Sequence, residues 1–295
     1  MKKPVVISIC TAKGGVGKTT TTMALSEFLA SKGYAVLVID ADYQTSCTVA
    51  LIGNQNWEKL NKEKKTIVAL VEDAINEGTN GYTRQFDPTT HVFQGASNLA
   101  DSLEGNIDLI PSSPDLVTAK KSIYKAGKNS EYGSVNKLNF MEWALRDVLP
   151  EYDFVLIDTH PDTDDMLFAA LYISDYYLMP VIPDAISSYG IVMMNRTVSK
   201  FSKECRRNIK QLGVLISMFR EINVHRTYRD IIKAMSGVRT FDTIIRLRAT
   251  VTESIDYYNH VTSLKQKYGS APNGIAEDYT ELTEEVIHRC QEKRP

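Results

Sequence analysis

Residues Thr11 to Thr22 read TAKGGVGKTTTT, set between the apolar run VVISIC and a stretch carrying Leu25, Phe28 and Leu29 at helical spacing. No other feature constrains the fold as much. A glycine-rich turn of this kind needs the end of a buried strand beside the start of a helix, so that backbone N–H groups and the helix dipole converge on an anion. Gly14, Gly15 and Gly17 permit the close approach, with Val16 between them. The string nearly fits G-x-x-x-x-G-K-[ST], in which Lys18 neutralises the β- and γ-phosphates of a nucleotide such as ATP and the Thr19 hydroxyl ligates Mg2+. The cradle runs from Lys13 to Thr20. Ala12 stands at the first glycine position, and Lys13 is an extra lysine that the pattern does not require.

The flanks extend this to a fold class. VVISIC (Val5 to Cys10) and AVLVIDAD (Ala35 to Asp42) read as buried strands joined by a helix that Gly33 ends. Four later apolar runs, NIDLIPS, YDFVLID, YYLMPVIP and LGVLISMF, alternate with helical patterns such as KLNFMEWALRDVL. Such alternation predicts an α/β fold with a doubly wound, mostly parallel sheet and helices on both faces. The 295 residues are read as one P-loop domain, with an irregular excursion at about 53–106 that contains one helix, TIVALVEDAINEG.

Four scattered cysteines, Cys10, Cys47, Cys205 and Cys290, form no C-x-x-C pair, so neither a disulfide framework nor a cysteine-held metal is expected. The apolar run after MKKP stops at six residues and Ile9 precedes Cys10, which argues against a secretory or lipoprotein signal. No run approaches the ~18 apolar residues of a membrane span. A cytoplasmic protein fits best.

Lys13 acquires a role through resemblance. KGGVGKTTT resembles the deviant phosphate loop of the ParA/MinD family of ATPases, and VLVIDADYQTSCT is similar to that family's Asp-x-Asp-Pro-Gln motif, with Asp40, Asp42 and Gln44 matching and Tyr43 in place of proline. YDFVLIDTHPDTDD resembles its Walker B strand, with Asp158 at the metal position. SDYYLMPVIPDAISSYGI, GVLISMF and YTELTEEVI are similar to the segments that follow, so the resemblance runs through most of the chain. It implies that Lys13 reaches across a face-to-face ATP-dependent homodimer to the partner's nucleotide, much as an arginine finger does. It also implies that Asp42 orients the attacking water, and that Asp40 and Asp158 stand behind Mg2+; strand-end carboxylates facing a ligand agree with Brändén's rule. The family commonly has Pro-Pro after the Walker B strand, where this chain has His160-Pro161 and then Asp162, Asp164 and Asp165. His160 reads as a packing or hydrogen-bonding residue, and the added carboxylates as groups that alter water access.

The net charge of −2 conceals a segregation: residues 196–248 hold 13 Lys/Arg against 4 Asp/Glu. On a helical wheel Arg196, Lys200, Lys203 and Arg207 share one side, opposite Val198, Phe201, Cys205 and Ile209. HRTYRDIIKAM repeats the arrangement, with Arg226, Arg229 and Lys233 against Tyr228, Ile231, Ile232 and Met235. Only Glu204 and Asp230 offer partners, which reads as a face for the nucleic-acid backbone, the alternative being a solvated surface. Arg246 and Arg248 lie nearby, while the arginine the family pattern places before Ser/Thr-Glu is Thr250. The combined expectation is a partition ATPase: nucleoid-associated, binding DNA non-specifically, and driven to hydrolyse ATP by a ParB-like DNA-binding adaptor on plasmid or chromosomal cargo. With the first strand opening at Val5, no operator-reading helix-turn-helix is expected ahead of it. The alternative is a MinD-like ATPase at a membrane, which the acidic C-terminal helix does not favour; no membrane partner is expected.

Overall fold

In the computed structural model the described residues are 3–76, 82–99, 103–120, 138–248, 263–270, 272 and 274–292. Seven strands, β1 (Val5–Ile9), β2 (Ala35–Ala41), β3 (Asn106–Ile110), β4 (Phe154–Thr159), β5 (Tyr176–Val181), β6 (Lys210–Phe219) and β7 (Thr240–Arg246), form one sheet in the order β3-β2-β4-β1-β5-β6-β7. Every adjacent pair is parallel. Parallel strands need crossovers, and strands covered on both faces read as largely apolar runs in sequence, as the inner strands here do.

The principal helices are α1 (Lys18–Ala30), α2 (Ser46–Lys62), α3 (Val68–Asn76), α4 (Phe140–Leu145), α5 (Asp165–Ile173), α6 (Ala185–Glu204), α7 (Asn223–Lys233), α8 (Leu264–Tyr268) and α9 (Ala276–Gln291). Side chains alternate along each strand, so the sheet has two cores. Ile7, Ile9, Val38, Leu156 and Leu178 pack with α1, α2 and α9, while Val6, Leu37, Ile39, Val155 and Ile157 pack with α3, α4, α5 and α6.

The structure corrects three local expectations. The stretch expected to turn irregular at Gly53 stays helical to Lys62, and Gly53 (φ 75°) only kinks α2. Strand β7 is not among the expected strands, although TFDTIIR buries Phe241, Thr243 and Ile245 with exposed Asp242 between them, the period-2 pattern of a half-covered edge. The basic helix expected to run through Arg207 ends at Glu204, because Arg206 adopts a left-handed conformation (φ 55°) that breaks it. Thr250 lies outside the described residues.

One buried ion pair ties the helix after the glycine loop to the C-terminal region. Glu27 on α1 accepts from Lys267 (2.7 Å), from Ser97 (2.5 Å) and from the Tyr268 hydroxyl (2.6 Å). Every partner is buried, so these bonds hold α1, the 93–99 loop and α8 in one arrangement.

Candidate active site

β1, β2 and β4 are neighbours, and their carboxyl ends carry the glycine loop, Asp40–Asp42 and Asp158. Register places Asp40 beside Asp158, and Ile9 beside Asp158. The chain leaves β1 towards β2 and β3, then returns through β4 to build β5, β6 and β7 on the far side; ligands in open α/β sheets sit at such reversals.

In the loop, Gly15 (φ 71°) and Gly17 (φ 84°) occupy the left-handed region, which requires glycine. A Cβ added at Gly14, Gly15 or Gly17 would meet no atom of the chain within 4 Å. Glycine there relieves no internal packing, and the surrounding space is open to a ligand. The loop is anchored from below, since the Ser217 hydroxyl donates to the Val16 carbonyl (2.7 Å). Thr20, one residue past Thr19, is buried in the first turn of α1.

The two lysines occupy different places. Lys18 is buried, with a charge close enough to Asp158 to oppose the upward push of burial on that carboxylate. Lys13 stands at the rim, half-exposed, in an ion pair with Asp184 (2.7 Å). Asp184 also caps α6 through the Ser187 amide (2.7 Å). Burial alone would raise the Asp184 pKa, but the bonds from Lys13 and Ser187 outweigh it and hold the carboxyl below its ordinary value.

Among the carboxylates, Asp158 accepts from Thr19 (2.8 Å) and Thr22 (3.3 Å). Asp40 accepts from the Asp42 amide (3.1 Å) and from both the amide and hydroxyl of Thr48 (2.8 and 2.7 Å). Both are fully buried side by side, and burial followed by mutual repulsion raises the Asp40 pKa; burial raises that of Asp158 as well. Sequence reasoning missed Thr48, whose hydroxyl also accepts from the Ser112 amide (2.9 Å) and so links β2, α2 and the β3 exit. The signal was a threonine in the first turn of the helix after the Asp-x-Asp motif. Asp42 accepts from Gln44 (2.9 Å) at the surface of this group.

Thr19 and Asp158 together offer a hydroxyl and a carboxylate at the helix N-terminus. This oxygen set suits Mg2+, which takes few protein ligands and keeps its waters or substrate oxygens. Among the described residues no group of three His, Cys, Asp or Glu is arranged to hold a metal by itself. An AAA domain family, AAA_31, matches residues 4–211, most of the sheet and the whole of this site.

The chain belongs to that family and is a ParA-type ATPase. It is 25% identical over 302 residues to the chromosome partitioning protein ParA of Caulobacter vibrioides, covering 98% of this chain and 96% of that one. A plasmid partition protein of Borrelia burgdorferi solved bound to AMPPNP superposes with a TM-score of 0.67 at 23% identity, covering 99% and 100% of the two chains. The same ParA-type fold also superposes on cobyrinic acid a,c-diamide synthase of Mycobacterium smegmatis with bound ADP and magnesium, at a TM-score of 0.72, 18% identity and coverage of 99% and 97%. A likeness at that level conveys the fold alone, so the site must carry any claim about activity.

The nine basic residues do not form one face. Arg196, Lys200 and Lys203 line a groove of about 660 Å3 between α6 and the Met235–Val238 turn. As a crossover from β5 to β6, α6 carries Lys200 and Lys203 towards the sheet end opposite the glycine loop. Arg207, beyond the helix, instead stacks over the Tyr172 ring (4.3 Å) and pairs with Glu142, which raises its pKa further. On α7, Arg226 pairs with Glu221 (3.0 Å) and Arg229 with Asp230 (2.8 Å), Lys233 is exposed, and Ile231, expected to be buried, is exposed too. Arg246 pairs with Asp278 of α9 (2.5 Å), on the other side of the sheet, and Arg248 is half-buried. Arg207 and Arg246 are held in intramolecular pairs that tie elements together.

Proposed function

We propose that this chain is a partition ATPase that dimerises on ATP, binds DNA non-specifically and hydrolyses ATP under control of a ParB-like adaptor, acting as a single P-loop domain in the cytoplasm on the nucleoid. The observation that carries the reading is the separation of the two lysines. Lys18 lies inside the cradle, where it serves the phosphates of its own nucleotide, whereas Lys13 stands at the rim on a side chain long enough to leave the protomer. A rim cation is of little use in cis and suits the partner's phosphates in a face-to-face dimer.

Within one protomer the backbone N–H groups of 14–19 hold the phosphates and Lys18 neutralises them. Mg2+, when bound, would be held by Thr19 and Asp158 and would offset charge on the β- and γ-phosphates. Asp40, with both oxygens committed to the Asp42 and Thr48 donors, orders the loop that carries Asp42. Asp42 has one oxygen fixed by Gln44 and orients water with the other. The Arg196, Lys200 and Lys203 groove supplies the DNA contacts. The membrane alternative loses weight because the apolar side of α9, with Leu282, Val286 and Cys290, is buried against the core. Among the described residues no helix is long and apolar enough to cross a membrane.

The test is sedimentation with a non-hydrolysable ATP analogue, alongside calorimetry of nucleotide binding. Lys18→Ala should lose nucleotide binding. Lys13→Ala should bind nucleotide yet stay monomeric, and DNA affinity of the parent should require ATP. A Lys13→Ala protein that dimerises normally, or equal DNA binding with ADP and ATP, would overturn the reading.

A further inference from the structure

The two positions at which the acidic loops depart from the family pattern meet in space. Ala41 and Thr159 are paired across β2 and β4, so the chain leaves these neighbouring strands together. Just beyond, the rings of Tyr43 and His160 stack with centroids 4.4 Å apart and planes 28° from parallel. Lys120, from the helical turn that follows β3, places its ammonium 4.8 Å from the Tyr43 ring centre and pairs with Asp164 (2.7 Å). Asp164 in turn caps α5 through the amides of Met166 and Leu167, both at 3.1 Å. On the other side of the stack, His160 Nδ1 accepts from the Asp162 amide (3.3 Å). One set of interactions thus joins the exits of β3, β2 and β4.

We propose that Tyr43 and His160, pinned by Lys120, are positioning residues that hold the Asp42 loop against the loop after Asp158. The inference rests on the reading of Asp42 as the residue that orients water. Its physical basis is a substitution of one kind of rigidity for another. In the family's pattern, prolines at these two places would stiffen each loop separately by fixing φ. Here neither proline is present, and an offset ring stack with a cation over it stiffens the loops jointly. The Asp42 loop has need of it: Thr45 is held at φ 59°, a strained value for a β-branched residue, and its amide bonds back to the Asp42 carbonyl (2.9 Å). His160 is buried beneath Tyr43, so removing either ring leaves the other without its neighbour.

Coupling between loops is the signature to measure. Hydrogen exchange on the nucleotide-free protein, read at individual amides, should show faster exchange at Gln44 and Thr45 in His160→Ala and at Asp162 in Tyr43→Ala. In Mg-ATP turnover, each variant should lose roughly tenfold in kcat with KM little changed, short of the hundredfold that an ångström of misplacement brings. The double variant should be no slower than the slower single, and Tyr43→Phe, which keeps the stacked ring, should behave as the parent. Exchange that rises only in the substituted loop, or rate losses that multiply in the double variant, would overturn the clamp. A parent protein without ATPase activity would overturn the functional reading, and the exchange result would still decide the clamp.

Discussion

Replacing Asp184 by Asn should strengthen ATP-dependent dimerisation. In the isolated protomer Lys13 is engaged with Asp184 at 2.7 Å, the two side chains being 34% and 28% exposed. To reach a partner's nucleotide, Lys13 must first leave that carboxylate, so the pair opposes assembly. An ion pair so open to solvent is screened and contributes about 0.5–1 kcal/mol. Two such pairs break per dimer, so their removal should favour the dimer by roughly 1–2 kcal/mol, a factor of about 5–30 in its dissociation constant. Asn is chosen because its side-chain oxygen still accepts from the Ser187 amide and caps α6 as well as Asp does, whereas Ala would forfeit about 1 kcal/mol of helix stability and confuse the outcome. Sedimentation equilibrium with a non-hydrolysable ATP analogue measures the constant. The effect should vanish in a Lys13→Ala background. Dimerisation that is unchanged or weakened by Asp184→Asn, with melting unaltered, would refute the idea that Asp184 restrains Lys13.

Three further outcomes follow from where the fold places its charges. Lys267→Ala strands Glu27 in the core with an uncompensated charge and should lower unfolding free energy by about 3–5 kcal/mol, while Glu27→Gln with Lys267→Met should recover most of it, as read by denaturant titration. Reversing Lys200 and Lys203 to Glu should flatten the log–log salt dependence of DNA binding by about 0.9 for each phosphate that is no longer neutralised, and should leave ATP-dependent dimerisation intact. Arg207→Ala, by contrast, should lower stability by unpairing Glu142 and leave the salt slope unchanged.

The glycine loop was legible from sequence because its chemistry is local. Three glycines, a lysine and a threonine must be adjacent in the chain for their backbone to wrap one phosphate group, and the apolar runs on either side announce the strand and helix that hold it. The same holds for the inner strands β1, β2, β4, β5 and β6, whose burial on both faces makes them largely apolar runs, and NIDLI of the edge strand β3 still reads as apolar around Asp108. β7 escaped because an edge strand covered on one side is only half apolar, and its alternation is short. Asp40, Asp42 and Asp158, with a role for each, could be named through resemblance, but their partners could not: that Asp40 accepts from Thr48 and from the Asp42 amide depends on how α2 returns over β2.

Charge was where sequence reasoning misled. A helical wheel placed Arg207 with Lys200 and Lys203, yet a single left-handed residue, Arg206, ends the helix and swings Arg207 to Tyr172 and Glu142. Pattern along a chain assigns a face only while the helix lasts. The pairings of Lys13 with Asp184, Tyr43 with His160, and Glu27 with Lys267 join residues more than a hundred positions apart, and nothing in their spacing announces them. The sequence by itself determined that a phosphate cradle opens a parallel sheet, because that requires neighbours in the chain. Tertiary structure alone decided which charges are free to meet a ligand and which are already engaged, because that depends on what packing brings within a few ångströms.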